Sequence, residues 1–141
     1  MNEVLDAGNN WNTPSPDAAK WVNAWNKLFV ETVRQTGGNN EKRNLILMTY
    51  AGGGAEGNFA SFVLPEENPE HLMITVHNYE PTGFTWTDAT WTRMTARWNE
   101  TAHGSVLRRS FQTYRKYSDL YGVPVILGEY NADPKKYADY D

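Results

Sequence analysis

Trp21, Val22, Trp25, Leu28, Phe29 and Val33 recur at helical spacing and predict one amphipathic helix over residues 16 to about 36. Its start is marked three times. Ser15 is free to cap, Pro16 suits the first helical position, and Asp17 puts a negative charge where the helix dipole favours it. Gly37-Gly38 supplies a left-handed stop, and Lys20, Lys27 and Arg34 mark the polar side. Trp21 and Trp25, on the apolar stripe, read as core residues. Residues 44–50 then form a continuous apolar run of strand length, closed by Gly52-Gly53-Gly54, and predict a buried strand. Residues 51–70 are rich in Gly, Pro and Glu around Phe59, Phe62, Val63 and Leu64, which predicts a structured loop with one helical turn. A second strand follows over residues 72–79. Residues 80–102 carry Pro81, Gly83, Trp86, Trp91 and Trp98 without clear periodicity and predict a long aromatic loop. Val106, Leu107, Phe111, Tyr114, Tyr117 and Tyr121 sketch a helix over residues 103–121 that Gly122 ends, and residues 123–129 make a third apolar strand with Pro124 at its start.

Apolar strands that read as buried on both faces, joined by connections long enough for crossovers, imply parallel pairing and an α/β fold. Polar residues fall at the strand ends: Asn2 and Glu3, then His77 and Tyr79, then Glu129. In α/β barrels that edge is where chemistry is assembled. Composition narrows the function classes. The chain has 141 residues, a net charge of −4 and no Cys, which excludes a disulfide framework, a Cys-based metal site and a thiol nucleophile. No apolar run approaches the roughly 20 residues of a membrane span. The mildly acidic balance lacks the basic stripe that nucleic-acid binding requires. Aromatic residues stand out instead, with 6 Trp, 8 Tyr and 5 Phe. The first residues, Met1 to Asp6, lack the basic and apolar regions of a signal peptide.

Glu3 and Glu129 each lie at a strand end, whereas the other carboxylates fall in helices or loops where solvation explains them. A carboxylate pair is what glycoside hydrolysis needs: one acts as acid and then base at the glycosidic oxygen, and the other attacks the sugar carbon. A spacing of roughly 5–5.5 Å gives retention of configuration. Spacing in sequence does not by itself select the right pair.

Asn2-Glu3, His77-Asn78-Tyr79 and Gly128-Glu129 occur in an order and context that resemble glycoside hydrolase family 5 cellulases, in the bacterial endo-β-1,4-glucanase branch. The resemblance extends through residues 29–40, 62–65 and 121–126 and covers nearly the whole chain. It implies a partial (half) TIM barrel, with parallel strands alternating with helices, corresponding to the fourth to seventh βα units of a barrel that takes about 250 residues. Residues 1–141 would be a single truncated catalytic domain of that family. The resemblance makes Glu3 the acid/base and Glu129 the nucleophile. It places Asn2 on the sugar 2-hydroxyl, His77 on substrate or the acid/base, and Tyr79 on Glu129. Val4 follows Glu3 where the family usually has Pro.

The same resemblance implies hydrolysis of β-1,4-glucan with retention and without a cofactor, on cellulose, carboxymethylcellulose, lichenan or xyloglucan, in an extracellular setting. It leaves open a catalytically inactive barrel fragment that at most binds glucan weakly through its aromatics. Trp86 is a candidate sugar-stacking platform, Trp91 and Trp98 are expected to pack under their loop, and Trp11 is a candidate to flank a subsite. Strand edges left unpaired in a partial barrel predict association, most simply as a homodimer or a higher homo-oligomer. The three histidines show no metal-ligand spacing, the glycine run at 52–57 lacks the features of a phosphate loop and reads as a flexible connection, and no serine sits in a nucleophile elbow.

Overall fold

Ser15 caps the first helix as its position predicts, its hydroxyl accepting from the Ala18 N–H at 3.2 Å. Helix α1 spans Pro16–Gln35, and Gly37 and Gly38 then take φ of +69° and +59°. A 3₁₀ turn (Gly38–Lys42) leads into strand β1 (Leu45–Gly53). The order continues with α2 (Glu56–Ala60), β2 (Leu72–Asn78), α3 (Thr82–Thr85), α4 (Ala102–Tyr121) and β3 (Val125–Tyr130). The computed structural model describes residues 2–8, 10–65, 69–86, 95 and 97–133.

The three strands form one parallel sheet in the order β1-β2-β3, with Leu45 opposite Leu72 and Ile74 opposite Val125. Each crossover carries a helix, as parallel neighbours require. Leu45, Leu47, Leu72, Ile74 and Val76 alternate onto one face and pack against Val30 of α1, Phe59 of α2 and Tyr114 and Tyr117 of α4. Phe59 stacks on Tyr117 with centroids 4.6 Å apart, and the Tyr121 hydroxyl donates to the Phe59 and Phe62 carbonyls at 2.7 and 3.0 Å. Gly122, with φ of +67°, ends α4. Each strand is therefore followed or preceded by a helix on the same side of the sheet, which is the layering of a barrel wall.

Two expectations are corrected. The strands are not buried on both faces: Ile46, on the face away from the helices, is 48% exposed, and no residue of β3 is fully buried. The helical stripe also divides differently from its reading. Val22, Asn26 and Val30 face the sheet, whereas Trp21 and Trp25 are 57% and 42% exposed and are not core residues here. Val22, Asn26 and Val30 recur every four residues along one line of α1, the part of its apolar stripe that β1 covers. Asn26, 1% exposed, sits between Val22 and Val30 in this buried line, its Nδ2 donating to the Met48 carbonyl at 2.9 Å.

Candidate active site

The C-terminal ends of the strands bring together residues far apart in sequence. In the register of β2 and β3, His77 is the Cα partner of Glu129, and in that of β1 and β2, Gly53 is the partner of His77. His77 Nδ1 lies 2.8 Å from Glu3 Oε1 and 3.3 Å from Glu129 Oε2. The nearest donor atoms of Glu3, His77 and Glu129 all lie within 4.8 Å of one another. The Tyr79 hydroxyl donates to Glu129 Oε2 at 2.6 Å. That bond, then burial, then the charges of Glu129 and Glu3, push the Tyr79 phenol up to about 12.

The His77 side chain is 6% exposed, and Gly52 makes room for it. A Cβ on Gly52, whose φ is +64°, would stand 3.1 Å from Nδ1, and one on Gly128 would stand 3.5 Å from Cδ2. The imidazole is thus flanked by bare backbone from both neighbouring strands. The glycine run read as a flexible connection is corrected accordingly: Gly52 and Gly53 end β1, and Gly53 packs on Asn58. Only glycine meets both demands at position 52, a positive φ and the close ring.

Glu3 itself has φ of +37°, uncommon for a residue with a side chain. Val4 packs beside Leu5 and Ala18 against Val22, Tyr50 and Ala51, and its carbonyl accepts from the Ala51 N–H at 3.1 Å. The residue standing in place of the family's usual Pro thus ties the Glu3 segment to β1 through its backbone and its side chain.

Glu3, His77 and Tyr79 line a cleft of about 550 Å³ that extends past Trp11 and the glycines of β1 to Arg109 and Tyr114 on α4. Trp11 is exposed at its rim. Trp86 is half-buried with its ring centroid 5.5 Å from that of Tyr79, beside the Tyr79–Glu129 bond. Trp98 packs edge-on to Phe84 at 5.3 Å and beside His103 at 5.2 Å, and its indole N–H donates to Glu100. Trp91 falls outside the described residues. Asn2 precedes Glu3 and is exposed.

Residues 1–140 match the profile of the family described as Cellulase (glycosyl hydrolase family 5). The chain belongs to that family. It is 33% identical to endoglucanase A of Ruminococcus albus over 132 residues, which is 93% of this chain and 35% of that protein. A broad-specificity endoglucanase from Ruminococcus champanellensis, solved with cellotriose, matches with a TM-score of 0.81 at 33% identity over 96% of this chain and 38% of that one. A xyloglucan-specific endo-β-1,4-glucanase from a metagenomic library, also with cellotriose, matches with a TM-score of 0.83 at 31% identity over 96% and 39%. The chain thus spans little more than a third of the length of these relatives, and its fold is a partial barrel of the family.

Two features of the site were not read from sequence. The flanking of His77 by Gly52 and Gly128 follows from register across strands, which no local pattern encodes. Asn58, fully buried, donates through Nδ2 to the Trp11 and Tyr50 carbonyls at 2.9 Å each and accepts from the Ala55 N–H at 3.1 Å. A lone Asn in a glycine-rich stretch resembles any turn residue, so the signal was absent.

Proposed function

We propose that Glu3 and Glu129 carry out a retaining hydrolysis of β-1,4-glucan, with Glu3 as acid/base and Glu129 as nucleophile. The observation that supports this best is the grouping of the two carboxylates and His77 within 4.8 Å, close to the roughly 5–5.5 Å separation of retaining pairs. Tyr79 and His77 both approach Oε2 of Glu129, which leaves Oε1 to attack the anomeric carbon. As that bond forms, Glu3 gives its proton to the glycosidic oxygen and the chain beyond it departs. Glu3 then takes a proton from water, the water oxygen attacks the same carbon, and Glu129 is released. Glu3 must alternate between protonated and ionised. His77 Nδ1 suits both states: its lone pair accepts from the acid, and its N–H donates to the carboxylate.

Cellotriose bound to two of the structural relatives supports a β-glucan substrate, with Asn2, Trp11 and Trp86 as the sugar-facing candidates. An extracellular setting, where polymeric glucan lies, belongs to the same proposal. So does association of chains: Trp25, Phe29, Ile46 and Met48 surround an apolar hollow of about 570 Å³ beside β1, a surface that a second copy would cover. Light scattering that finds a monomer at micromolar concentration would exclude that association.

Reducing ends released from carboxymethylcellulose, lichenan and xyloglucan by the chain, and lost in Glu129→Ala, are the expected result. Activity that survives the substitution would overturn the assignment. No release from any of the three by the unsubstituted chain would favour the inactive fragment.

A further inference from the structure

Glu3 sits outside any strand or helix of the described chain, yet its carboxylate must be held against His77. The bonds that hold its segment converge on one pair. Tyr50, 2% exposed at the end of β1, donates its hydroxyl to Asp6 Oδ1 at 3.2 Å and accepts from the Asp6 N–H at 3.2 Å. Asp6 Oδ1 also accepts from the Gly8 N–H at 3.0 Å, and Oδ2 accepts from the N–H of Ser15, the cap of α1, at 3.4 Å. Ser15 first, with smaller contributions from Tyr50 and the Gly8 backbone, holds the Asp6 carboxyl below the usual carboxylate range, so it is ionised and a strong acceptor at neutral pH. One residue beyond Tyr50, the Ala51 N–H closes the bond to the Val4 carbonyl.

Backbone conformation marks the same place. Among the described residues, the two non-glycines with positive φ are Glu3 at +37° and Ala51 at +57°. They lie on the two sides of this junction. Such conformations persist only where the surroundings over-determine them. Tyr50 is 2% exposed with its hydroxyl on Asp6, and both Asp6 carboxylate oxygens are taken up by Tyr50, Gly8 and Ser15, so the pair acts through the Glu3 segment rather than on substrate. Their bonds fasten the Glu3 segment simultaneously to β1, which ends beside His77, and to the start of α1.

We propose that Asp6 and Tyr50 are the positioning pair that sets the Glu3 carboxylate against His77. This rests on the reading of Glu3 as acid/base. Tyr50→Phe removes one oxygen and leaves the ring in its cluster with Val22, so the fold survives while the clamp opens.

The test compares two substrates and one spectrum. On unactivated β-glucan, kcat/KM of Tyr50→Phe should fall about tenfold, the order expected when a catalytic group is displaced by a fraction of an ångström. On an aryl cellobioside with a good leaving group, whose departure needs no proton, kcat/KM should stay within about twofold. The ¹⁵N-imidazole spectrum should show the His77 Nδ1 signal displaced while those of His71 and His103 keep their positions. Asp6→Ala, at a half-buried position, should reproduce all three results and serves if Tyr50→Phe does not fold. Equal losses on both substrates, no loss on either, or an unmoved His77 signal would overturn the proposal. If neither substrate is turned over, the His77 signal decides. Glu3→Ala separates the two levels: a leaving-group effect there without one in Tyr50→Phe sinks the positioning role alone, whereas no such effect in Glu3→Ala sinks the acid/base reading beneath it.

Discussion

Asn58→Ala tests whether a single buried amide joins the parts of the chain that carry the cleft. Its Nδ2 donates to the Trp11 and Tyr50 carbonyls, its Oδ1 accepts from Ala55, and its residue is fully buried. Truncation removes all three bonds. The Tyr50 carbonyl lies in the irregular stretch of β1 between Met48 and Gly53, and loss of a partner for such a buried group costs about 1–3 kcal/mol. The Trp11 carbonyl and the Ala55 N–H are partly buried and regain water, so each adds about 0.5–1.5 kcal/mol. The sum is about 2–6 kcal/mol, a large share of the roughly 5–15 kcal/mol that holds a domain together. In urea, with a slope of about 1–3 kcal/mol/M, the midpoint should fall by about 2 M. A second substitution makes the test specific. A Cβ on Gly53 would stand 2.5 Å from Asn58 Oδ1, so Gly53→Ala alone should destabilise, yet in the Asn58→Ala background its collision partner is gone. The two costs should therefore fall short of additivity by about 1–3 kcal/mol. An Asn58→Ala stability within about 0.5 kcal/mol of wild type, or strict additivity, would rule this role out.

Tyr79 should titrate near pH 12 rather than its ordinary 10, and Glu129→Gln should bring it back towards 10, followed through the ring carbon resonance of this tyrosine. Because the folded value is raised, the stability it contributes is complete below pH 10 and is lost as pH rises from 10 to 12, so wild type and Tyr79→Phe should converge in stability over that interval. Gly128→Ala would press a Cβ onto Thr75 Oγ1 and should cost about 1–3 kcal/mol in thermal unfolding, most of it recovered when Thr75→Ala is added. Ser15→Ala removes the acceptor for the Ala18 N–H and should destabilise by about 1 kcal/mol in the same assay.

Helix α1 was legible because its cap, its first-turn Pro and its glycine stop are local, and the strands were legible because apolar runs of that length have few other uses. The resemblance singled out Glu3, His77, Tyr79 and Glu129, which lie together at the strand ends. What local pattern could not show depends on neighbours. Trp21 and Trp25 have the same spacing as core residues, but whether a helical stripe is covered depends on what packs beside it. Asn26 and Asn58 are polar letters whose buried bonds go to strand carbonyls 22 and 8 residues away. Gly52 matters through the His77 imidazole and Gly128 through the Thr75 hydroxyl, both on the strand between them.

In the proposed mechanism Glu129 attacks the sugar. The direct measurement is to incubate the chain with a 2-deoxy-2-fluoro cellobioside carrying a good leaving group, digest it, and locate the modified peptide by mass spectrometry. The account predicts one stable glycosyl ester per chain, on Glu129, absent from Glu129→Gln and still formed in Glu3→Ala. An ester on Glu3, or turnover of substrate with no trapped ester at all, would contradict it.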